Sequence, residues 1–582
     1  MSDSSDESIG FRLSDVDSED SSSDSSDYLL VAAIDIGTTF SGFAFSFRHQ
    51  YEDDPTQICA NTWAAGSAAL ISLKTSTCAL FKPDGTFHSF GYEAEDTYSE
   101  LNLKRGLMLE EENGKTKPAI EVISHSIGYL KDRMMETCKK QQTDIRDSDV
   151  LWVLTVPAIW NDPAKQFMRE AAEMAGIKSN RLILALEPEA ASLFCMRLPV
   201  EKFSDGMQKG FSAFQAGSKY IVLDAGGGTI DITVHEVQPD NTLKELHKAN
   251  GGDWGGTKVD EAFRMLLAAI VGNDVMGAFC QNHKTDMLDL YRDFEVKKRT
   301  ITPKLNSKIT FKVPISLNET HKGLNSGKEI KDSLASKAKY KDKVGWIGDK
   351  LRMDADLAKG LYDCSIKQIV AHLRELLTHD SVQGCSAILM VGGFSESPML
   401  QEAIRSNFKH LRVIVPSETG LSVLKGAVVY GHDPSTIKYR VCKYTYGVET
   451  SEEFNPFIHD ETKKFTDNSG IEFCGEIFSK HVEVGQTVVV GEPQVEQSYK
   501  VVYEEQTGMK IEVYISSETD PKYVTDPSCK QLGIMEVEMP NVHLGLDRSV
   551  QVSMTFSGTE LHVEAINEQD GESTKATFDL LE

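Results

Sequence analysis

Two stretches of this chain share one pattern of apolar and polar positions. Residues 219–237, KYIVLDAGGGTIDITVHEV, open with an apolar run fit for a buried strand. After a glycine turn, Ile230, Ile232 and Val234 alternate with Asp231, Thr233 and His235, the period of a half-buried strand. Residues 31–47, VAAIDIGTTFSGFAFSF, repeat the design: an apolar strand, the turn Gly37-Thr38-Thr39, then Gly42, Ala44 and Ser46 alternating with Phe43, Phe45 and Phe47. Each stretch predicts a hairpin. Residues 79–81 and 86–90 flank Pro83-Asp84-Gly85, the chemistry of a further hairpin turn. Residues 120–139 carry Ile123, Ile127, Leu130 and Met134 at helical spacing, and residues 150–156 read as an apolar strand before Pro157. Asn161, Asp162 and Pro163 supply an N-cap and a first-turn proline for a helix that ends at Gly176. Residues 309–317 alternate as a strand, residues 322–343 are polar and lysine-rich and predict a surface loop, and residues 387–393 predict a buried strand running into a glycine turn. From about residue 436 the chain changes to short alternating or β-branched runs, such as 487–490, 499–503 and 510–515, which predict a β domain.

The turns carry the chemistry. Gly226, Gly227 and Gly228 admit torsions closed to other residues and let amide groups approach phosphate oxygens. Asp35 and Asp224 end the strands that lead into the two turns, and Asp224 would point where a hydrated Mg²⁺ sits. Two such hairpins form an internal duplication whose halves can hold a nucleotide tail between them. Asn250 to Asp260, NGGDWGGTKVD, is a second glycine-rich turn before a helix, so Gly255, Gly256 and Thr257 are candidate anion contacts at a helix N-terminus.

Composition narrows the classes. The 582 residues predict two or three domains, and 40% hydrophobic residues suffice for sizeable cores. With 88 acidic against 61 basic residues the formal charge is −27, which disfavours nucleic acid and anionic membranes as partners. The 10 cysteines lack metal-ligand spacing and predict free thiols in a reducing compartment, the cytoplasm or the nucleus. No signal peptide and no membrane span is predicted. Residues 1–28, dominated by Ser, Asp and Glu, predict a disordered acidic tail, in which Ser14 and Ser21 precede acids as an acid-directed kinase requires.

DIGTTFSG and LDAGGGTID resemble the heat-shock member of the actin, hexokinase and 70-kDa heat-shock superfamily. ALEPEAAS, VGGFSESPML and a strand-rich end further resemble the divergent heat shock 70 kDa protein 12 branch. The resemblance implies an α/β, actin-like (ribonuclease H-like, duplicated) two-lobe ATPase domain over residues 29–435, followed by a β-rich domain over 436–582 without a helical lid. It implies ATP or ADP and Mg²⁺ as ligands, with Asp35 and Asp224 holding the metal through water and Gly37, Thr38, Thr39, Phe40, Gly226, Gly227, Gly228 and Thr229 around the phosphates. Glu187 and Asp231 would orient or deprotonate the attacking water, and Lys104 is the nearest match to the family lysine that reaches the terminal phosphate. TVPAIWND matches the family's switch element, placing Pro157 and Lys165 in a relay where the family has arginine. Glu295, Lys298 and Arg299 fall on one helical face and would embrace the adenosine, under which Gly392 and Gly393 pass. Glu396 stands where the family stacks an arginine on the base, which leaves Phe394 as a candidate to hold adenine. Ser422 to Gly431 matches the last helix of the ATPase core, with Gly426 at its internal glycine. No leucine-rich interdomain linker is visible.

Three functions stay open at this point: a chaperone-like ATPase, a nucleotide-sensing signalling scaffold with little or no ATPase activity, and a small-molecule kinase of the same superfold. The partners implied are polypeptide clients or signalling proteins on the β domain, with co-chaperones or exchange factors.

Overall fold

The computed structural model describes residues 28–65, 70–100, 117–140, 144–198, 214–467, 470–557 and 560–579. Residues 1–27 of the predicted acidic tail and Lys104 lie outside the described residues, whereas Tyr28, the last residue assigned to the tail, is buried in the fold.

The first lobe is built on β1 (Leu30–Ile36) and β2 (Phe40–Phe47), antiparallel, with Asp35 opposite Gly42. Beyond β1 lie β3 (Val150–Val156) and β4 (Leu182–Leu186), both parallel to it, giving the order β4-β3-β1-β2. All of β3 and nearly all of β1 are buried, which is why they read as unbroken apolar runs. Between β3 and β4 runs α1 (Asp162–Met174), whose N-cap Asn161 accepts the Ala164 N–H at 3.2 Å. After β4 comes α2 (Glu187–Arg197).

The second lobe repeats this plan. β5 (Lys219–Ala225), β6 (Ile230–Val237) and β7 (Leu243–Gly252) form an antiparallel meander in which Asp224 faces Asp231. The chain then leaves to build an outer subdomain: α3 (Thr257–Val271), α4 (Lys284–Lys298), and the strands β8 (Ile309–Lys312), β9 (Val344–Ile347) and β10 (Lys350–Met353) in the antiparallel order β8-β10-β9. Phe263, Phe294, Phe311, Trp346 and Leu351 fill its core. The chain returns as β11 (Ala387–Val391), parallel to β5, and β12 (Arg412–Ile414), parallel to β11. The order β12-β11-β5-β6 therefore matches β4-β3-β1-β2, which is the duplication read from the hairpins.

The last helix of this region, α5 (Thr419–His432), crosses α2 between the two sheets. A Cβ on Gly426 would lie 1.7 Å from the Ala190 carbonyl oxygen, so glycine is required at the crossing. A Cβ on Gly431 would lie 2.5 Å from Val31 and 2.6 Å from Val153 of the first lobe, while Ser192 of α2 bonds Tyr220 of the second at 2.6 Å.

Two expectations for the outer subdomain are corrected. The strand expected over 309–317 stops at Lys312; Pro314 caps the helix Ile315–Leu324. The lysine-rich stretch expected to be a surface loop contains the rest of that helix and the helix Ile330–Ala335, held by buried Ile330, Leu334 and Tyr340.

Past α5 the described residues contain only strands and single-turn helices. β13 (Ile437–Val441) lies parallel to β7, and β14 (Thr487–Val489) pairs antiparallel with β13, so the second lobe's sheet runs on into the C-terminal region. The remaining strands form two sheets. Lys464–Thr466, Glu472–Val482, Thr445–Glu453, Gly508–Ser516 and Cys529–Glu538 make one, and Gln497–Lys500, Ser549–Ser557, Glu560–Asn567 and Ser573–Asp579 the other. Val448, Val513, Val552 and Leu561 are among the residues in the core they share. Arg548 is fully buried there and donates to the carbonyls of Tyr503, Glu504, Gln506, Met539 and Gly545. All ten cysteines are free thiols.

Candidate functional site

Between the lobes opens a cleft of about 610 Å³. Its floor is the two hairpin turns, set tip to tip: a Cβ on Gly227 would lie 2.2 Å from Thr39 Oγ1, and one on Gly228 would lie 2.6 Å from Thr38 Oγ1. Only glycine lets the turns meet this closely. Each turn is braced. Thr77 donates its hydroxyl to the Gly37 carbonyl at 2.6 Å and its amide to the Thr39 carbonyl at 2.9 Å. Gly255, Gly256 and Thr257 donate their amides to the carbonyls of Gly228, Gly226 and Gly227, so the start of α3 is bound to the β5–β6 turn.

Carboxylates gather under the turns. Asp35 accepts the Thr155 hydroxyl at 3.0 Å and the Lys74 ammonium at 2.5 Å. Burial alone would lower the Lys74 pKa, but Asp35, Glu187 and Asp224 together hold it above the usual value. The Asp224 carboxyl is pushed up to about 8 by burial and by Asp231, against the pull of Lys74. Its Oδ2 is buried without a hydrogen-bond partner among the described residues. Glu187 is raised well above the usual carboxylate range by desolvation, then by Asp35, Asp224 and Asp231. Mutual repulsion of this kind is relieved by a cation. Among the described residues, no three His, Cys, Asp or Glu side chains converge closely enough to ligate a metal directly, so the donor set suits an ion that keeps its water shell. An orphaned carboxylate oxygen beneath a glycine cradle thus fits hydrated Mg²⁺ on a phosphate chain.

Of the expected contacts, Asp35, Gly37, Thr38, Thr39, Phe40, Glu187, Asp224, Gly226, Gly227, Gly228, Thr229 and Gly256 all line this cleft, as does Pro157. Asp231 lies behind it, only 1% exposed, and accepts the Ile159 amide at 2.9 Å. Gly255 supports the floor from below, since a Cβ there would lie 2.4 Å from the Gly227 carbonyl oxygen. Lys165 is buried on α1.

The other end of the cleft is lined by Glu295, Lys298, Arg299, Gly392, Gly393, Phe394 and Glu396. Gly392 has φ +82°, and a Cβ there would lie 2.2 Å from Asp224 Oδ1, so the strand end passes directly over the acid. Glu295 holds Lys298 at 2.6 Å and Arg299 at 2.8 Å, and Lys298 also reaches Asp260 at 2.8 Å. Arg299 stands 3.9 Å from Glu396 and 5.7 Å from the Phe40 ring. Phe394 stacks with Tyr362 at 6.4 Å, and Tyr362 donates to the Lys298 carbonyl at 2.7 Å. Apolar ring faces and polar groups therefore meet at this end of the cleft.

Lys74, Thr77, Thr155 and Tyr362 were not legible in the sequence. Lys74 in SLKTST has no helical or strand period to place it, and only the folding of residues 70–77 back against β2 brings it to Asp35.

A duplicated pair of lobes with glycine turns facing each other over paired acids defines the actin-like ATPase fold. A family model described as Hsp70 protein matches residues 101–338. Heat shock 70 kDa protein 12B of Homo sapiens is 33% identical over 95% of this chain and 91% of its own length. Heat shock 70 kDa protein 12A of Mus musculus is 33% identical over 95% and 92%, and the chaperone protein DnaK of Elusimicrobium minutum (strain Pei191) is 27% identical over 51% and 42%. The chain belongs to the heat shock 70 kDa protein family, in the divergent branch of proteins 12A and 12B. Members of the family bind ATP or ADP with Mg²⁺.

Proposed function

We propose that this protein is a chaperone-type ATPase that binds MgATP, hydrolyses it slowly, and passes the closure of its lobes to the β domain. The observation that carries the reading is the orphaned, destabilised Asp224 carboxylate under two opposed glycine turns, beside Asp35 and Glu187. Asp35 and Asp224 would hold the hydrated Mg²⁺, which supplies positive charge at the phosphates when bound. The amides of the two turns and the hydroxyls of Thr38, Thr39 and Thr229 donate to phosphate oxygens. Glu187 Oε accepts a proton from the attacking water and orients it. Asp231 acts one layer back, fixing the Ala158–Trp160 backbone through Ile159. Lys74, released from Asp35, is the mobile cation for the terminal phosphate. Phosphoryl transfer needs chiefly such positioning and charge stabilisation.

A route to the β domain supports the coupling. Lys443, just past β13, donates to the carbonyls of Ala158 at 3.0 Å and Trp160 at 3.4 Å, on either side of the Ile159 amide that binds Asp231. Arg440 of β13 reaches Glu189 of α2 at 2.5 Å, and Arg169 of α1 reaches Glu560 of the β domain at 2.5 Å. The connecting strand has the sequence IKYRV, so a charged strand stands where a leucine-rich linker was sought. For polypeptide clients, the loop after Thr445–Glu453 presents Phe457, 93% exposed, beside Ile458.

The second reading is a nucleotide-sensing signalling scaffold with little hydrolysis. Glu396 favours it, because an acid beside Arg299 offers the base no cationic face. Single-turnover hydrolysis of bound ATP, run with Asp224→Asn and with ATP affinity measured on the same samples, separates the two. Phosphate release that disappears in the variant supports the ATPase; tight binding without release supports the scaffold. No binding at all overturns both.

A further inference from the structure

The outer face of the β8-β10-β9 sheet carries a charge the cleft does not use. The alternation along these strands buries Phe311, Trp346, Leu351 and Met353 and turns Lys312, Ile347, Lys350 and Arg352 outward. The register sets Lys312 directly opposite Lys350, and Ile347 opposite Lys350 on the other side. Like charges facing across a ladder are destabilising. Lysines on edge strands protect against edge pairing, but Lys350 and Arg352 stand on the central strand, so edge protection does not account for them. Among the described residues, none of Lys312, Lys350 and Arg352 has a carboxylate within ion-pair distance, although Asp349 adjoins Lys350 in the chain and Asp293 accepts the Lys312 amide at 2.8 Å. The surroundings extend the field: over residues 304–352 ten lysines and arginines are exposed against three acids, Glu319, Asp332 and Asp342. This basic island sits on a chain of net charge −27.

An acidic, flat-lying segment with apolar character at one point fits such a face. Residues 1–27 hold nine acids and a single base, Arg12, with Ile9, Phe11 and Leu13 around it. They enter the fold at Tyr28, which is fixed by its hydroxyl on the Gly431 carbonyl at 3.3 Å and by Arg48 over its ring at 4.3 Å. Twenty-seven residues can extend to about 90 Å, several times the radius of gyration of about 21 Å expected of a domain of about 400 residues. Nucleic acid is disfavoured by the charge of the whole molecule.

We propose that the outer face of the β8-β10-β9 sheet seats the acidic residues 1–27 of the same chain, with Lys312, Lys350 and Arg352 as the charged anchors. The test uses the full-length protein. Carbodiimide coupling followed by peptide mass spectrometry is expected to join acids of residues 1–27 to Lys312 or Lys350 at low ionic strength, and to lose those links at high salt. In an equal mixture of ¹⁵N-labelled and unlabelled protein, the linked peptides are expected to share one isotope. Trypsin is expected to cut after Arg12 several-fold faster in a Lys312→Gln, Lys350→Gln, Arg352→Gln variant whose circular dichroism matches the parent. Absence of these links, or an unchanged rate at Arg12, overturns the proposal. Mixed-isotope links overturn it in favour of a second copy, and retention of a short RNA by a face that leaves residues 1–27 unlinked overturns it in favour of nucleic acid.

Discussion

Lys74 is held by the carboxylates proposed to hold the metal ion, so on that reading its charge is shared between two states of the cleft. Replacing it by alanine is expected to slow single-turnover hydrolysis by about 100-fold, the cost of deleting one preorganised charge donor, with a smaller change in ATP affinity. Lys74→Arg is expected to recover little, because a planar fork does not reproduce a compact ammonium. Lys104→Ala, assayed beside it, is expected to cost less. The family resemblance points to Lys104, which lies outside the described residues; Lys74 is proposed on its 2.5 Å contact with Asp35. At Gly392 the constraint is steric. A side chain there meets both a left-handed φ and the Asp224 carboxylate, so Gly392→Ala is expected to destabilise the protein by about 2 kcal/mol or more in urea titration and to weaken ATP binding.

The hairpins were legible as elements because alternation and a glycine turn are local signals. Both appear where the pattern put them. The outer subdomain was not, because its helices hang on sparse anchors: Ile330, Leu334 and Tyr340 are few among lysines, and Pro314 breaks an alternation that reads as one strand. β13 hid for a related reason. Its inward side is charged, with Arg440 set against Glu189, while Glu245 accepts the Val441 amide at 2.9 Å. Burial, and then the neighbouring Glu189, push the Glu245 carboxyl up from 4.5 to about 7. An unfolded chain ionises this group near 4.5, so between pH 4.5 and 7 the folded state binds the extra proton. Its contribution is complete below pH 4.5, declines as pH rises through about 7, and is lost above, a change of at most about 3 kcal/mol. Glu245→Gln is expected to remove that share of the pH dependence, seen as converging urea midpoints at pH 5 and diverging ones at pH 8 relative to the parent.

For the molecule as a whole, the lobes, the cleft and the β domain were foreseeable from the order of motifs, whereas the joints between them were not. Lys443, Arg169 and Glu560 carry no sequence signature, since a surface charge and a joint charge look alike until the partner is folded against them. Lys443→Ala is expected to leave ATP affinity within a few-fold of the parent while abolishing any ATP-dependent change in hydrogen exchange across Thr445–Glu453 and Glu472–Val482. Equal nucleotide responses in both proteins would exclude Lys443 as the connection.

At Gly426 the backbones of α5 and α2 touch, with no side chain between them to be squeezed or released. That makes the crossing a rivet: the spacing of the two helices has no slack there. Glu189, which Arg440 grips, is one residue from the rivet, and Glu187 of the cleft stands at the start of the same helix, two residues before Glu189. A shift of β13 is thereby handed to the cleft across a single turn of α2, with little between them to absorb it.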